Sequence, residues 1–224
     1  MEIFLGVLFC GGRGTRLSEI TRYISKSFIP IYDRPVFQYG LEMLEKSKRI
    51  DEIIILSNED NDKKLQQTGY PTIIQDDRQV FDMFSGWDYI KKITGTKKHG
   101  VLIPSDNISD IEVGKLVDVF QKENVNLVFS LYKVPDKNKL SQMGCYDPVG
   151  ESFYYKHPNP PTNFGVIAPY IVHNHLKSDS GDNILNHKNS AYTEHKGYWF
   201  DIGDYENIIE ASIFIKKEET NVER

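Results

Sequence analysis

The chain has 224 residues, 39% of them hydrophobic, and a formal net charge of −5. That apolar share supports one folded domain rather than a disordered chain, and the acidic balance excludes a nucleic-acid binder working through bulk charge. Cys10 and Cys145 are too few for a disulfide framework and match no zinc spacing.

The opening MEIFLGVLFC lacks a basic leader and is too short to cross a bilayer, so a cytoplasmic protein without membrane insertion is expected. IFLGVLF (3–9) starts a series of short apolar runs that continues with EIIILS (52–57), PTIIQ (71–75), GVLIPSD (100–106) and NLVFSLY (126–132). Nearly continuous apolar runs suit strands covered on both faces. Between them, apolar residues recur at helical spacing: Val36, Tyr39, Leu41 and Leu44; Val80, Met83, Phe84, Trp87 and Ile90; Val113, Leu116, Val117 and Phe120. The polar SNEDNDKK (57–64) reads as a solvated loop and helix start, and the paired lysines at 91–92 and 97–98 as solvated surface. The alternation predicts an α/β fold with a doubly wound, mostly parallel, Rossmann-like sheet. From Lys133 turn residues crowd the sequence, which predicts a small antiparallel extension on the substrate side. A closing helix is expected at 204–219, capped by Asp204, with Ile208, Ile209, Ser212, Ile213 and Ile215 on its inner face. One domain, 1–224, results: a nucleotide half (1–132), an acceptor half (133–203) and the closing helix.

CGGRGTRLSEITRYISKSFIPIYDRP (10–35) follows the first strand, where an open α/β sheet binds its ligands. Gly11, Gly12 and Gly14 allow close backbone approach to a phosphate, and Thr15, Arg16 and Lys26 supply donors and positive charge. The stretch is neither a dinucleotide fingerprint nor a Walker loop, because Leu17 stands where the last glycine would be and no G-K-[ST] follows. A glycine-rich turn with surface arginines is the plainer reading of the same residues.

The composite of GGRGTRL (11–17), SKSFIP (25–30) and PIYDRP (30–35) resembles the signature of the sugar-nucleotidyltransferases, and most nearly the glucose-1-phosphate thymidylyltransferases. IPSDN (103–107) and GYWFDIGDYENIIEAS (197–212) extend the similarity in the expected order. The resemblance implies joining of a nucleoside triphosphate to a sugar 1-phosphate with release of pyrophosphate, for glycan or surface polysaccharide synthesis. It implies Arg16 and Lys26 as catalytic cations, and Gly11, Gly12, Gly14, Thr15 and Gln75 as nucleotide contacts. It implies Mg²⁺ held by Asp106 and Asp201, with Gly144, Lys156, Asn163 and Tyr170 at the acceptor.

The sequence departs from the family in three places. QDDRQVFDMF (75–84) lacks the family's glycine after the base-reading glutamine. YYKHP (154–158) replaces E-K-P, so Lys156 and His157 stand where a glutamate and a lysine are usual, and Ala168 replaces a glycine. A cation in place of a hydroxyl acceptor suggests an acidic or phosphorylated acceptor. The chain ends after the helix at 204–219, where this subgroup carries further helices used for assembly and regulation; a monomer or dimer is expected. His173 and His175, two apart in VHNHL, could meet a metal from a strand, though a loop is the plainer expectation; His187 belongs to no motif. A cytidylyltransferase for a non-sugar phosphate and a non-catalytic nucleotide-binding module are the alternative functions.

Overall fold

A computed structural model of the chain describes residues 4–178 and 189–222; His187 lies outside them. Strand β1 (Phe4–Phe9) runs into the glycine turn, a 3-10 turn at Thr15–Leu17 and the short helix α1 (Ser18–Thr21). A second 3-10 turn, Lys26–Phe28, precedes the two-residue strands β2 (Pro30–Ile31) and β3 (Arg34–Pro35). Then follow α2 (Phe37–Glu45), β4 (Ile50–Ser57), α3 (Glu59–Leu65), β5 (Thr72–Ile74), α4 (Met83–Thr94), β6 (His99–Pro104), β7 (Asn107–Ser109), α5 (Val113–Glu123) and β8 (Leu127–Lys133). The second half contains α6 (Lys137–Leu140), β9 (Gly144–Asp147), β10 (Ser152–Tyr155), β11 (Phe164–Val172), β12 (Ser190–His195), β13 (Trp199–Asp201) and α7 (Tyr205–Val222).

The sheet has a parallel core, β6-β1-β4-β5, and an antiparallel extension built on β11. This is the α/β architecture expected from the alternating runs. Along β1, Phe4 and Leu8 face a cluster with Leu41, Leu44, Val117 and Phe120, while Leu5 and Val7 face Phe84, Trp87 and Ile90. Each such side chain, fully removed from water, contributes roughly 1.5–3 kcal/mol. Burial on both faces explains why β1 lacks a polar alternation. One edge of β11 pairs with β9 at Gly165 and with β6 from Tyr170 to Val172. Residues 166–169 therefore lie between the two partners, beside the carboxyl end of β6.

Helix α4 begins in a capping box in which Asp82 accepts from the Ser85 N–H at 2.7 Å. Helix α7 starts where expected, with Asp204 accepting from the Asn207 N–H at 2.7 Å. Its inner face differs from the expected stripe. Ile208, Ala211, Phe214 and Ile215 pack against Leu17, Ile29, Ile31 and Ile202, whereas Ile209 and Ile213 are exposed. Packing on one side covers only residues that recur every 3.6 positions, and 209 and 213 fall on the other side. Lys91 is also not solvated: its ammonium donates to the carbonyls of Asn174 (3.2 Å) and Leu176 and pairs with Asp88 at 2.7 Å. Among the described residues, no helix is long and apolar enough to cross a membrane.

Candidate functional site

The glycine turn is shaped by two close approaches. Gly14 has a φ of +61°, and a Cβ there would come within 2.9 Å of Lys26 Cβ and Thr21 Cγ2. Only glycine lets the chain turn left-handed against residues 21–26. At Gly11 a Cβ would collide with the Gln75 carboxamide, so the residue after β5 lies directly on the turn. Asparagines hold the turn's carbonyls: Asn58 Nδ2 donates to Gly11 at 3.2 Å, and Asn61 Nδ2 donates to Cys10 at 2.7 Å and to Ser25 Oγ at 2.9 Å.

Four charged groups from separate segments converge beyond the ends of β1 and β6. Lys26 is buried, and its ammonium donates to Asp106 Oδ2. The guanidinium of Arg16 lies 3.5 Å from Asp201 Oδ2. Pairing of β13 with β7 sets Asp201 opposite Asn107, and the Ile202 N–H donates to the Asp106 carbonyl at 2.8 Å. Asn107 Nδ2 donates to Asp106 Oδ1 at 3.2 Å and reaches Asp201 Oδ1 at 3.5 Å; Trp199 Nε1 donates to Asn107 Oδ1 at 3.0 Å and orients it. Asn207 Nδ2 donates to the Asp201 carbonyl at 2.7 Å, while its Oδ1 accepts from Lys139 at 3.0 Å.

Burial and the neighbouring Asp106 carboxylate push the Asp201 carboxyl up to about 6, against the opposing pull of Lys26 and Arg16. Two carboxylates forced together in this way fit a divalent cation, whose charge would relieve their repulsion. Among the described residues no cluster of three or more His, Cys, Asp or Glu could enclose a metal. A metal at Asp106 and Asp201 would take its other ligands from phosphate oxygens and water, the arrangement Mg²⁺ favours.

A cavity of about 210 Å³ opens beside this group, lined by Gly11, Gly12, Lys26, Gln75, Phe81 and Asp106 among others. Gln75 Nε2 donates to Asp77 Oδ1 at 2.8 Å, and Arg13 of the glycine turn pairs with Asp77. A larger cavity of about 560 Å³ lies between α2 and α7 and is lined by none of the expected catalytic, nucleotide, acceptor or metal residues.

Of the expected acceptor residues, Gly144 and Lys156 come together at the β9–β10 hairpin, whereas Asn163 precedes β11 and meets the chain just after β8. Gly144 pairs with Tyr155, the Lys156 N–H donates to Met143 O at 3.1 Å, and Asn163 O accepts from the Val134 N–H at 2.9 Å. The Lys156 ammonium lies over the Tyr155 ring at 4.8 Å. Tyr170 is set apart near the other end of β11, packed on Phe84 of α4 with ring centroids 5.2 Å apart. His173 and His175 lie in the turn after β11 with their rings 3.8 Å apart. Cys10 is fully buried, and burial pushes its thiol up to about 12.

Sequence reasoning missed Asn58, Asn61, Asn107 and Asn207. Asn58 and Asn61 sit in a run that reads as solvated, and no pattern separates a buried amide from an exposed one there. Asn107 adjoins Asp106 in IPSDN, and that adjacency was a usable signal.

A family model described as nucleotidyl transferase matches residues 5–148. The gamma subunit of translation initiation factor eIF2B from Caenorhabditis elegans is 30% identical over 141 residues, covering 57% of this chain and 34% of that protein. A glucose-1-phosphate thymidylyltransferase of Neisseria gonorrhoeae is 43% identical over 56 residues, 25% of this chain and 19% of that enzyme. The low-salt glycan biosynthesis nucleotidyltransferase Agl11 of Haloferax volcanii is 23% identical over 241 residues, covering 96% of this chain and 67% of that protein. The matches to the first two thus span about a third or less of the relatives' own length. In fold, the chain superposes on a putative glucose-1-phosphate thymidylyltransferase of Bacillus anthracis with a TM-score of 0.79 at 18% identity, covering 94% of each chain.

Proposed function

The chain belongs to the nucleotidyl transferase family, and from that membership we propose that it joins a nucleoside triphosphate to a sugar 1-phosphate or a related phosphorylated acceptor, releasing pyrophosphate. The observation that carries the reading is the convergence of Arg16, Lys26, Asp106 and Asp201 beside a cavity walled by the glycine turn and Gln75.

An acceptor phosphate is already ionised at neutral pH, so no base is required to activate it. The task is to bring polyanions together and stabilise charge on the α-phosphate and the leaving pyrophosphate. Gly11, Gly12, Gly14 and Thr15 would hold the triphosphate, and Arg16 would meet the departing pyrophosphate. Lys26 would leave Asp106 to bridge the attacking phosphate and the α-phosphate. Enzymes of this family generally use a divalent metal, and Mg²⁺ is the reading preferred here, with Asp106 and Asp201 as its ligands. When bound it would supply positive charge to the phosphate oxygens. Gln75 would contact the base. Lys156, Gly144 and Asn163 would face the acceptor, where a cation favours an acidic or phosphorylated group.

The test is pyrophosphate release with each nucleoside triphosphate, Mg²⁺ and a panel of sugar 1-phosphates and other phosphorylated acceptors. One productive pair is expected. Nucleotide binding without turnover on any acceptor would favour a non-catalytic module.

A further inference from the structure

The segment after β5 departs most from the family signature on the nucleotide side, since QDDR brings two carboxylates next to the glutamine proposed to contact the base. The two are used differently. Asp76 is engaged within its own loop, accepting from Arg78 at 3.0 Å and from Gln79 at 2.7 Å. Asp77 turns toward the cavity wall, where it accepts from Gln75 Nε2 and pairs with Arg13 from the glycine turn. On the opposite side of the same carboxamide, Oε1 rests against Gly11, leaving no room even for a methyl group. Gln75 is therefore clamped between the turn and Asp77.

We infer that Asp77 is a positioning residue for base selection: by accepting from Gln75 Nε2 it fixes which way round the carboxamide stands, and so lets the site tell keto bases from amino bases. The inference rests on the reading of Gln75 as the base contact. A glutamine carboxamide can flip about its last bond, exchanging its oxygen and its NH₂. Uracil and thymine present a keto oxygen beside a ring N–H; cytosine presents an NH₂ beside a bare ring nitrogen. These patterns are reversed copies of each other, so a glutamine free to flip accepts both. Guanine and adenine differ in the same way. An ionised carboxylate can only accept, and a flipped Gln75 would set its own oxygen against Asp77, two acceptors face to face. The hydrogen bond from Gln75, and then Arg13, hold the Asp77 carboxyl below its usual range, so it stays an acceptor at neutral pH. Arg13 keeps the carboxylate in place from the phosphate side, tying the orientation of the base reader to the turn proposed to hold the triphosphate.

The test is the ratio of kcat/KM, and of Kd by calorimetry, for UTP against CTP and for GTP against ATP, in wild type, Asp77→Ala, Asp77→Asn and Gln75→Leu. Wild type should favour one edge class by about 100-fold or more, since a site built around a hydrogen bond rejects the mismatched group strongly. In Asp77→Ala the ratio should fall below about tenfold, chiefly through KM. Asp77→Asn, equal in size but able to donate, should relax it as well, which a purely space-filling role would not produce. Gln75→Leu should abolish the preference. Unchanged discrimination in Asp77→Ala, or a wild type that takes both edges alike, would overturn the inference and leave nucleotidyl transfer standing. A wild type that binds no triphosphate with Mg²⁺ would instead overturn the proposed function itself.

Discussion

Replacing Lys26 with methionine keeps the stem and removes the charge. Two consequences separate cleanly. In the free protein, Asp106 loses the cation that neutralises it. The Lys26 side chain is 10% exposed and that of Asp106 24%, so the pair is largely shielded from water. Leaving a shielded carboxylate without its partner costs about 1–3 kcal/mol. For a domain of this size that corresponds to a fall in melting temperature of roughly 2–4 °C per kcal/mol. Bound phosphates change the second consequence. In turnover the missing ammonium would have faced the charge of the reacting phosphates, and losing one such preorganised group costs about 10²–10³ in kcat. Thermal melting without ligand and pyrophosphate release at saturating substrates read the two effects independently. A Lys26→Met enzyme that melts early yet turns over within about twofold of wild type would show that Lys26 only holds Asp106, and the proposed catalytic role would fail.

Gly11→Ala should displace the Gln75 carboxamide, because the new methyl group occupies its place; triphosphate affinity measured by calorimetry should drop at least about tenfold, and an unchanged Kd would disprove the close contact. Asn207→Ala removes the donor to the Asp201 carbonyl and the acceptor for Lys139. It should lower stability by about 1–2 kcal/mol and raise the Mg²⁺ concentration needed for half-maximal activity, an effect that loss of stability alone would not produce. Burial pushes the thiols of Cys10 and Cys145 up, to about 12 and about 11. Both should therefore remain protonated at pH 8 and react with a thiol reagent only after denaturation. Rapid labelling of the native protein would contradict their burial.

The strands and the glycine-rich stretch after β1 were legible because their signals are local. A run such as IFLGVLF must be covered on both faces, and GGRGTRL with its following lysine combines backbone freedom and charge within one turn. Helix α4 was equally legible, since Phe84, Trp87 and Ile90 share a face whatever they pack against. The stripe on α7 was not, because Ile209 and Ile213 carry the same chemistry as Ile208 and Ile215. Which side is covered depends on where β2 and β13 lie. The same limit explains Lys91 and Asn61, polar residues whose partners are distant in sequence. By itself the sequence determined the strand–helix alternation up to residue 132, the closing helix, the glycine turn and the candidate charges Arg16, Lys26, Asp106 and Asp201, each recognisable from its neighbours along the chain. Only the tertiary structure decided that these charges meet, that Asn107 links the two carboxylates, and that Asp77 clamps Gln75. Hydrogen bonds and charge pairing act through space over a few ångströms, and folding alone brings residues separated along the chain within that reach.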